Sequence, residues 1–88
     1  MRVTIVPEDQ TVIVDGDTVL LPDALTIDPN THAIQWYGDY GVIEYKIGPA
    51  VRFTDQSVIQ PHLDQRAAYV AQMATEKAAA DGAAQLIP

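Results

Sequence analysis

The chain has 88 residues, no cysteine and a formal net charge of −7. Its length suits one domain, and the missing cysteines exclude disulfides and thiolate metal sites, so oligomerisation remains as a way to stabilise so small a scaffold. Nucleic acid and anionic membranes are disfavoured as partners because both need clustered cations. The five cations here are scattered, at Arg2, Lys46, Arg52, Arg66 and Lys77.

The acidity itself has two interpretations. One is solubility, which any strongly charged surface provides. The other is a decoy that imitates the charge of nucleic acid.

Two features bear on where the protein works. No apolar run reaches the roughly 18–20 residues that cross a bilayer. The first ten residues, MRVTIVPEDQ, become acidic after a short apolar stretch, unlike a signal peptide. We therefore expect a protein that stays in the cytoplasm of the cell that makes it, unless an assembled particle carries it out.

The first 30 residues alternate short strands with turns. Apolar residues at every second position predict strands at 2–6, 11–15 and 18–21. Turns follow at 7–10 and at 15–17, where Gly16 can adopt positive φ. A loop over 22–30 comes next, in which Leu25 and Ile27 are expected to point into the core.

The strongest strand signal is a hairpin with strands at 32–37 and 42–47 around a turn at 38–41. Symmetric closure of that turn pairs Tyr37 with Val42. This register places six residues on one face: His32, Ile34, Trp36, Ile43, Tyr45 and Ile47. We expect four of them, Ile34, Trp36, Ile43 and Tyr45, to anchor the core, and Trp36→Ala to cost about 3–5 kcal/mol.

A change of composition near residue 55 separates a β-rich part, 1–54, from a helical part, 55–88. A short strand at 51–54 precedes capping residues at 54–57, and alanine and glutamine dominate afterwards. The sequence predicts one helix over about 57–81, ended by Gly82. The expected fold is a single α+β domain, a small antiparallel sheet at 2–54 followed by one long helix.

The predicted helix carries an apolar stripe at steps of three and four residues, formed by Ile59, Leu63, Ala67, Val70, Ala74 and Ala78. The large residues are expected to cover the sheet. The alanine end has two interpretations: it allows another helix to approach closely, or it serves only helix propensity and is solvated. On the first, the chain forms a homo-oligomer through this helix.

Residues with catalytic or metal-binding chemistry are few and isolated. His32 is expected to be partly buried by packing, and His62 to face solvent. The Asp15-Gly16-Asp17 segment lacks the further ligands of a calcium loop. Ser57, the only serine, lies in a capping context without a nearby base. We therefore predict no catalytic residue, metal site or cofactor.

The candidate protein-contact residues fall into two groups. Tyr37 lies on the hairpin face opposite Trp36, with Val42 and the Lys46 stem, and Tyr40 lies in the turn. Exposed tyrosines on strands are common, so this group has an ordinary structural explanation too. The second group is the helix face of Val70, Met73, Ala74 and Ala78.

The segment 32–45, HAIQWYGDYGVIEY, resembles a motif in small proteins of tailed bacteriophages that are described as tail fibre assembly or tail-associated proteins. The opening MRVTIVPEDQTVIVDG and the later VRFTDQSVIQP are also similar to that group. The resemblance implies a virion component or assembly factor that binds other phage tail or fibre proteins, and it implies no catalytic residue.

A rival hypothesis is an acidic phage-encoded inhibitor of a host nucleic-acid-binding protein. It requires carboxylates concentrated on one face. Several carboxylates are instead spread over separate turns, at Asp9, Asp15, Asp17, Asp28 and Asp39.

Overall fold

The computed structural model describes the backbone of residues 1–86 and the side chains of residues 1–78. A six-stranded antiparallel sheet is followed by one helix, which confirms the predicted α+β fold. The strands are β1 (Val3–Val6), β2 (Thr11–Val14), β3 (Asp17–Leu20), β4 (Thr31–Trp36), β5 (Gly41–Tyr45) and β6 (Val51–Phe53). A 3₁₀ turn at Gln56–Val58 leads into the helix α1 (Gln60–Leu86).

The strand order is β3-β2-β1-β4-β5-β6, with every neighbouring pair antiparallel. Two three-stranded meanders therefore meet where β1 pairs with β4. The loop at 21–30 carries the chain from one edge of the sheet back to its centre. The two edge strands are β3 and β6.

The hairpin between β2 and β3 closes through a two-residue loop. Asp15 and Gly16 both have positive φ, 48° and 84°, as a type I′ turn requires. The Asp15 carboxylate also accepts a hydrogen bond of 2.8 Å from the Arg2 backbone N–H. This loop sets the β2–β3 register, in which Val14 lies opposite Asp17.

The core lies on one face of the sheet. Alternate residues of the central strands are buried there, including Val3, Ile5 and Trp36. Ile59, ahead of α1, covers them from above and is fully buried. Leu21 and Leu25 of the long loop pack into the same cluster, together with half-buried Leu63 of α1. Each such side chain contributes about 1.5–3 kcal/mol when removed from water.

The register predicted for the hairpin of β4 and β5 is wrong by two residues. Tyr37 lies opposite Tyr40, whose carbonyl oxygen accepts its backbone N–H at 2.8 Å. The loop is therefore Gly38-Asp39, with Gly38 at a φ of 113°. A two-residue loop with glycine first matches the strand twist better than the four-residue loop that symmetric closure assumed.

A slip of two residues preserves the faces of a strand. Ile34 now lies opposite Ile43, and Trp36 opposite Gly41. Ile34 and Trp36 are buried, whereas Ile43 and Tyr45 are half-buried. The four predicted anchors thus lie on or beside the buried face, with new cross-strand partners.

Gly41 gives this register its physical reason. It lies between Trp36 and Phe53, whose rings stack at 5.6 Å between centroids. A Cβ atom at Gly41 would come within 2.6 Å of the Gln35 carbonyl oxygen and would overlap the Phe53 ring. Only glycine therefore allows the two aromatic rings to meet across β5.

The expectation that His32 is partly buried is wrong. An irregularity between Thr31 and Ala33 shifts the β4–β5 register, so that Thr31 lies opposite Tyr45 and is buried, while His32 is exposed. An irregularity of this kind places an extra residue on one strand and changes the direction of the neighbouring side chains. Ile47, also predicted on the buried face, is 82% exposed beyond the end of β5.

The helix begins and ends later than predicted. The Asp55 carboxylate accepts the Ser57 N–H at 2.9 Å, and it caps the 3₁₀ turn rather than α1. The hydrogen bond from the Ser57 backbone lowers the pKa of Asp55. At the other end α1 continues through Gly82 to Leu86, because a single glycine costs a helix only about 1 kcal/mol.

Candidate protein-contact surfaces

Arg66 fixes the helix to the sheet. Its guanidinium donates to the carbonyl oxygens of Val12 and Asp17, at 3.4 and 3.1 Å, and to the Asp17 carboxylate at 2.9 Å. Only 15% of the Arg66 side chain is exposed. Since Val12 and Asp17 belong to β2 and β3, the helix is tied to the edge of the sheet opposite β6.

Beyond this tether the helix leaves the sheet. All residues from Val70 to Ala78 are exposed, and the longest dimension of the molecule is 61 Å. Val70 and Met73 are 43% and 47% exposed. The predicted contact residues Ala74 and Ala78 lie on the same exposed part of α1. The predicted contribution of Val70 to covering the sheet is therefore small.

The protruding part of α1 has two adjacent apolar sides. Leu63, Arg66, Val70 and Met73 follow each other at steps of three and four, so Val70 and Met73 continue the side that faces the sheet. The neighbouring side consists of small residues: Ala67, Ala71, Ala74 and Ala78. The opposite flank packs beside the long loop, where Tyr69 lies next to Leu21.

The predicted tyrosine group forms a row in which two rings lie between two guanidinium groups, which we call the tyrosine ladder: Arg2, Tyr37, Tyr40 and Arg52. The two rings lie 5.1 Å apart. Arg2 lies over Tyr37 at 4.6 Å, and Arg52 over Tyr40 at 4.3 Å. The ladder lies on the face of the sheet that α1 does not cover. Tyr and Arg are the residue types enriched at binding hot spots.

Val42 and Lys46, the two predicted neighbours of Tyr37, differ in whether they lie beside it. Val42 is half-buried on the same face. The Lys46 ammonium instead forms an ion pair with Glu8, and its hydrogen bond lowers the pKa of the Glu8 carboxyl. Beside Val42, the Gln35 amide oxygen accepts a hydrogen bond of 2.8 Å from Thr4.

The expectation that His62 faces solvent is wrong. Its side chain is 7% exposed, in the first turn of α1. One turn of helix separates His62 from Arg66, so both lie near the side that faces the sheet. Burial lowers the pKa of His62, which favours the neutral imidazole.

Two concave parts of the surface are small. A groove between α1 and the long loop, lined by Leu21, Pro22, Tyr69 and neighbouring residues, has a volume of about 170 Å³. A second, beside the Lys46–Glu8 pair, has about 230 Å³. Small-molecule sites usually have roughly 300–1,000 Å³. Among the residues whose side chains are described, no group of three His, Asp or Glu residues could hold a metal ion.

Sequence reasoning missed the three arginines that organise these surfaces. In the sequence, Arg2, Arg52 and Arg66 show only as scattered charges. No local pattern identifies them, because Arg66 reaches a residue 49 positions away and Arg2 reaches Tyr37 only through the β1–β4 pairing. Their roles follow from the topology.

No helical segment within the described part of the chain is long and apolar enough to cross a membrane. Comparison with protein-family models, curated proteins and solved structures finds no match for this chain.

Proposed function

We propose that this protein is a protein-binding component of a bacteriophage tail or tail fibre, either within the virion or as an assembly factor. The observation that carries the proposal is the helix α1, which extends past its own sheet with Val70 and Met73 exposed. Full burial of an apolar side chain of this size contributes about 1.5–3 kcal/mol, so each of these two side chains, at 43% and 47% exposure, would gain about half of that when a partner covers it.

The phage setting rests on the resemblance of the segment 32–45 to small tail-associated proteins. In this chain the segment forms β5, nearly all of β4 and the loop between them. It supplies Trp36, which stacks on Phe53 of β6, and both rings of the tyrosine ladder. The motif residues thus serve the core on one face and offer contact residues on the other.

The rival hypothesis, an inhibitor of a nucleic-acid-binding protein, gains no support from the fold. Asp9, Asp15, Asp28 and Asp39 occupy separate turns and loops. Asp17 is engaged by Arg66. A decoy for nucleic acid needs its carboxylates in one continuous row.

The test is to follow the protein in a phage that encodes it. If the protein is a virion component, we expect mass spectrometry to find it in purified particles at fixed stoichiometry. If it is an assembly factor, we expect it to form a complex with the purified tail fibre chain. The double variant Val70→Glu, Met73→Glu should lose that association. Val51→Glu is the matched control, because Val51 is 47% exposed on the opposite edge of the sheet.

The proposal is wrong if the protein is absent from particles and does not bind the fibre chain. Equal binding by the helix variant and the control would show that α1 is not the contact surface. Salt-sensitive displacement of DNA from a host protein would instead favour the inhibitor.

A further inference from the structure

The strand β3 has a free edge with a defined hydrogen-bonding pattern. The Asp15-Gly16 loop makes Val14 and Asp17 a hydrogen-bonded pair, and such pairs recur at every second residue. The hydrogen bond from the Leu21 N–H to the Gln10 carbonyl oxygen, at 2.8 Å, continues that phase. Thr18 and Leu20 therefore direct their backbone N–H and C=O groups away from β2. No other strand in the described part of the chain pairs with them.

The helix α1 passes over this same edge. The chain enters α1 after β6, at one edge of the sheet, and Arg66 contacts β2 and β3 at the other. The helix residues after Arg66 then extend for about 30 Å at 1.5 Å per residue. Val70 and Met73 lie on the side that faces the sheet, and their exposure shows that no strand among the described residues covers them.

We propose that two copies of this chain join through β3, antiparallel and around a two-fold axis, so that their sheets become one and each helix lies over the sheet of the other copy. The proposal rests on the proposed function, since it names a second copy as one partner of the protruding helix. In this dimer the free backbone groups of β3 form hydrogen bonds, and the exposed apolar side of α1 is covered, within one interface.

Symmetry and length both favour a second copy over an unrelated strand. An isologous interface needs a surface that is complementary to itself, and an antiparallel strand edge has this property. The outermost strands of six lie about 24 Å apart at a spacing of about 4.8 Å, so a 30 Å helix extension suits the width of a whole second sheet. A single added strand would cover only about 5 Å of it.

The alanine side of α1 is consistent with this arrangement. The long loop occupies one flank of the helix, and Ala67, Ala71 and Ala74 occupy the other. Around the two-fold axis the two helices would run antiparallel on the joint sheet, each with its alanine flank towards the other. Small residues allow helix axes to approach within about 8 Å, the short end of the usual range.

The pairing has one register that uses all of β3. Thr18 of one copy pairs with Leu20 of the other through hydrogen bonds, in both directions. Val19 then lies opposite its own counterpart on the axis, as a non-hydrogen-bonded pair with Cα atoms about 4.5 Å apart. That separation permits a disulfide if both residues are cysteine.

The test combines mass measurement with crosslinking on the full chain. We expect sedimentation equilibrium or light scattering to show a dimer whose dissociation is concentration-dependent. Val70→Glu should raise the dissociation constant at least about a hundredfold, because each dimer would bury two unpaired carboxylates. Val51→Glu, on the opposite edge, should leave it unchanged.

Crosslinking tests the geometry. The chain has no native cysteine, so Val19→Cys should give a disulfide-linked dimer under mild oxidation, and Val51→Cys should not. A dimer that Val19→Cys fails to link overturns the β3 pairing. A chain that stays monomeric up to about millimolar concentration overturns the dimer altogether. If that monomer still binds the fibre chain, the proposed function survives.

Discussion

Gly41→Ala tests the claim that one glycine sets the register of the central hairpin. The new methyl group would lie 2.6 Å from the Gln35 carbonyl oxygen, and closer to the Phe53 ring. The oxygen belongs to β4 and cannot move without disturbing the β4–β5 pairing. The ring can move, but only by leaving its stack on Trp36.

The expected cost follows from these two contacts. Overpacking by one methyl group destabilises a core by about 1–3 kcal/mol. Loss of the Trp36–Phe53 pair adds about 0.5–1.5 kcal/mol. We therefore expect Gly41→Ala to lower the free energy of unfolding by about 2–4 kcal/mol, and to lower Tm by more than about 8 °C for a chain of this size.

The assay is urea and thermal unfolding followed by the fluorescence of Trp36, the only tryptophan. Phe53→Ala and the double variant complete a thermodynamic cycle. Because the oxygen of Gln35 remains in place, the double variant should recover only part of the loss caused by Gly41→Ala. A single variant that unfolds within about 0.5 kcal/mol of the original chain, with unchanged emission, would refute the reasoning.

Two further predictions concern the attachment of α1. Burial lowers the pKa of His62 below its ordinary 6.5, so the unfolded chain binds a proton more readily than the folded chain. The contribution of His62 to the free energy of unfolding should therefore be fully present above about pH 6.5 and should fall as the pH drops below that value. His62→Gln should flatten the dependence of the urea midpoint between about pH 7 and 5, and an unchanged slope would contradict this origin. Arg66→Ala should cost about 1–3 kcal/mol through its lost charged hydrogen bonds to Val12 and Asp17; Arg66→Lys should restore little, because one ammonium cannot reach both strands in a fork. Full recovery by lysine would show that charge alone matters.

The sequence specified most of the fold because its signals were local. Alternating apolar residues and the Asp15-Gly16 turn give β1 to β3 nearly residue by residue. The loop residue Leu25 is buried, and Ile27 is half-buried, as their isolated apolar character indicated. These assignments need no knowledge of which strands pair.

The errors arose where a long-range contact decided the outcome. The hairpin register depends on Gly41 lying opposite Phe53, a residue of the following strand. The exposure of His32 depends on an irregularity within β4, and the burial of His62 depends on the angle at which α1 crosses the sheet.

The candidate contact surfaces were predictable only as far as local spacing defines them. Helical spacing identified Val70 and Met73 as neighbours, and strand alternation placed Tyr37 opposite Trp36. That Val70 and Met73 extend past the sheet follows only from the position of Arg66 at the β2–β3 edge. The assignment of both groups as protein contacts stays a prediction.

The alanines of α1 have two physical roles that agree with each other. An isolated helix shorter than about 12–15 residues is marginal in water because its first turn is costly to form. Here the turns around Leu63 and Arg66 are already ordered by the sheet, so the extension only has to propagate from them. Alanine has the highest helix propensity, and it keeps the extension helical without a core to pack against. The same short side chain lets a second helix come close, so a rod that is stable when free needs little rearrangement to bind.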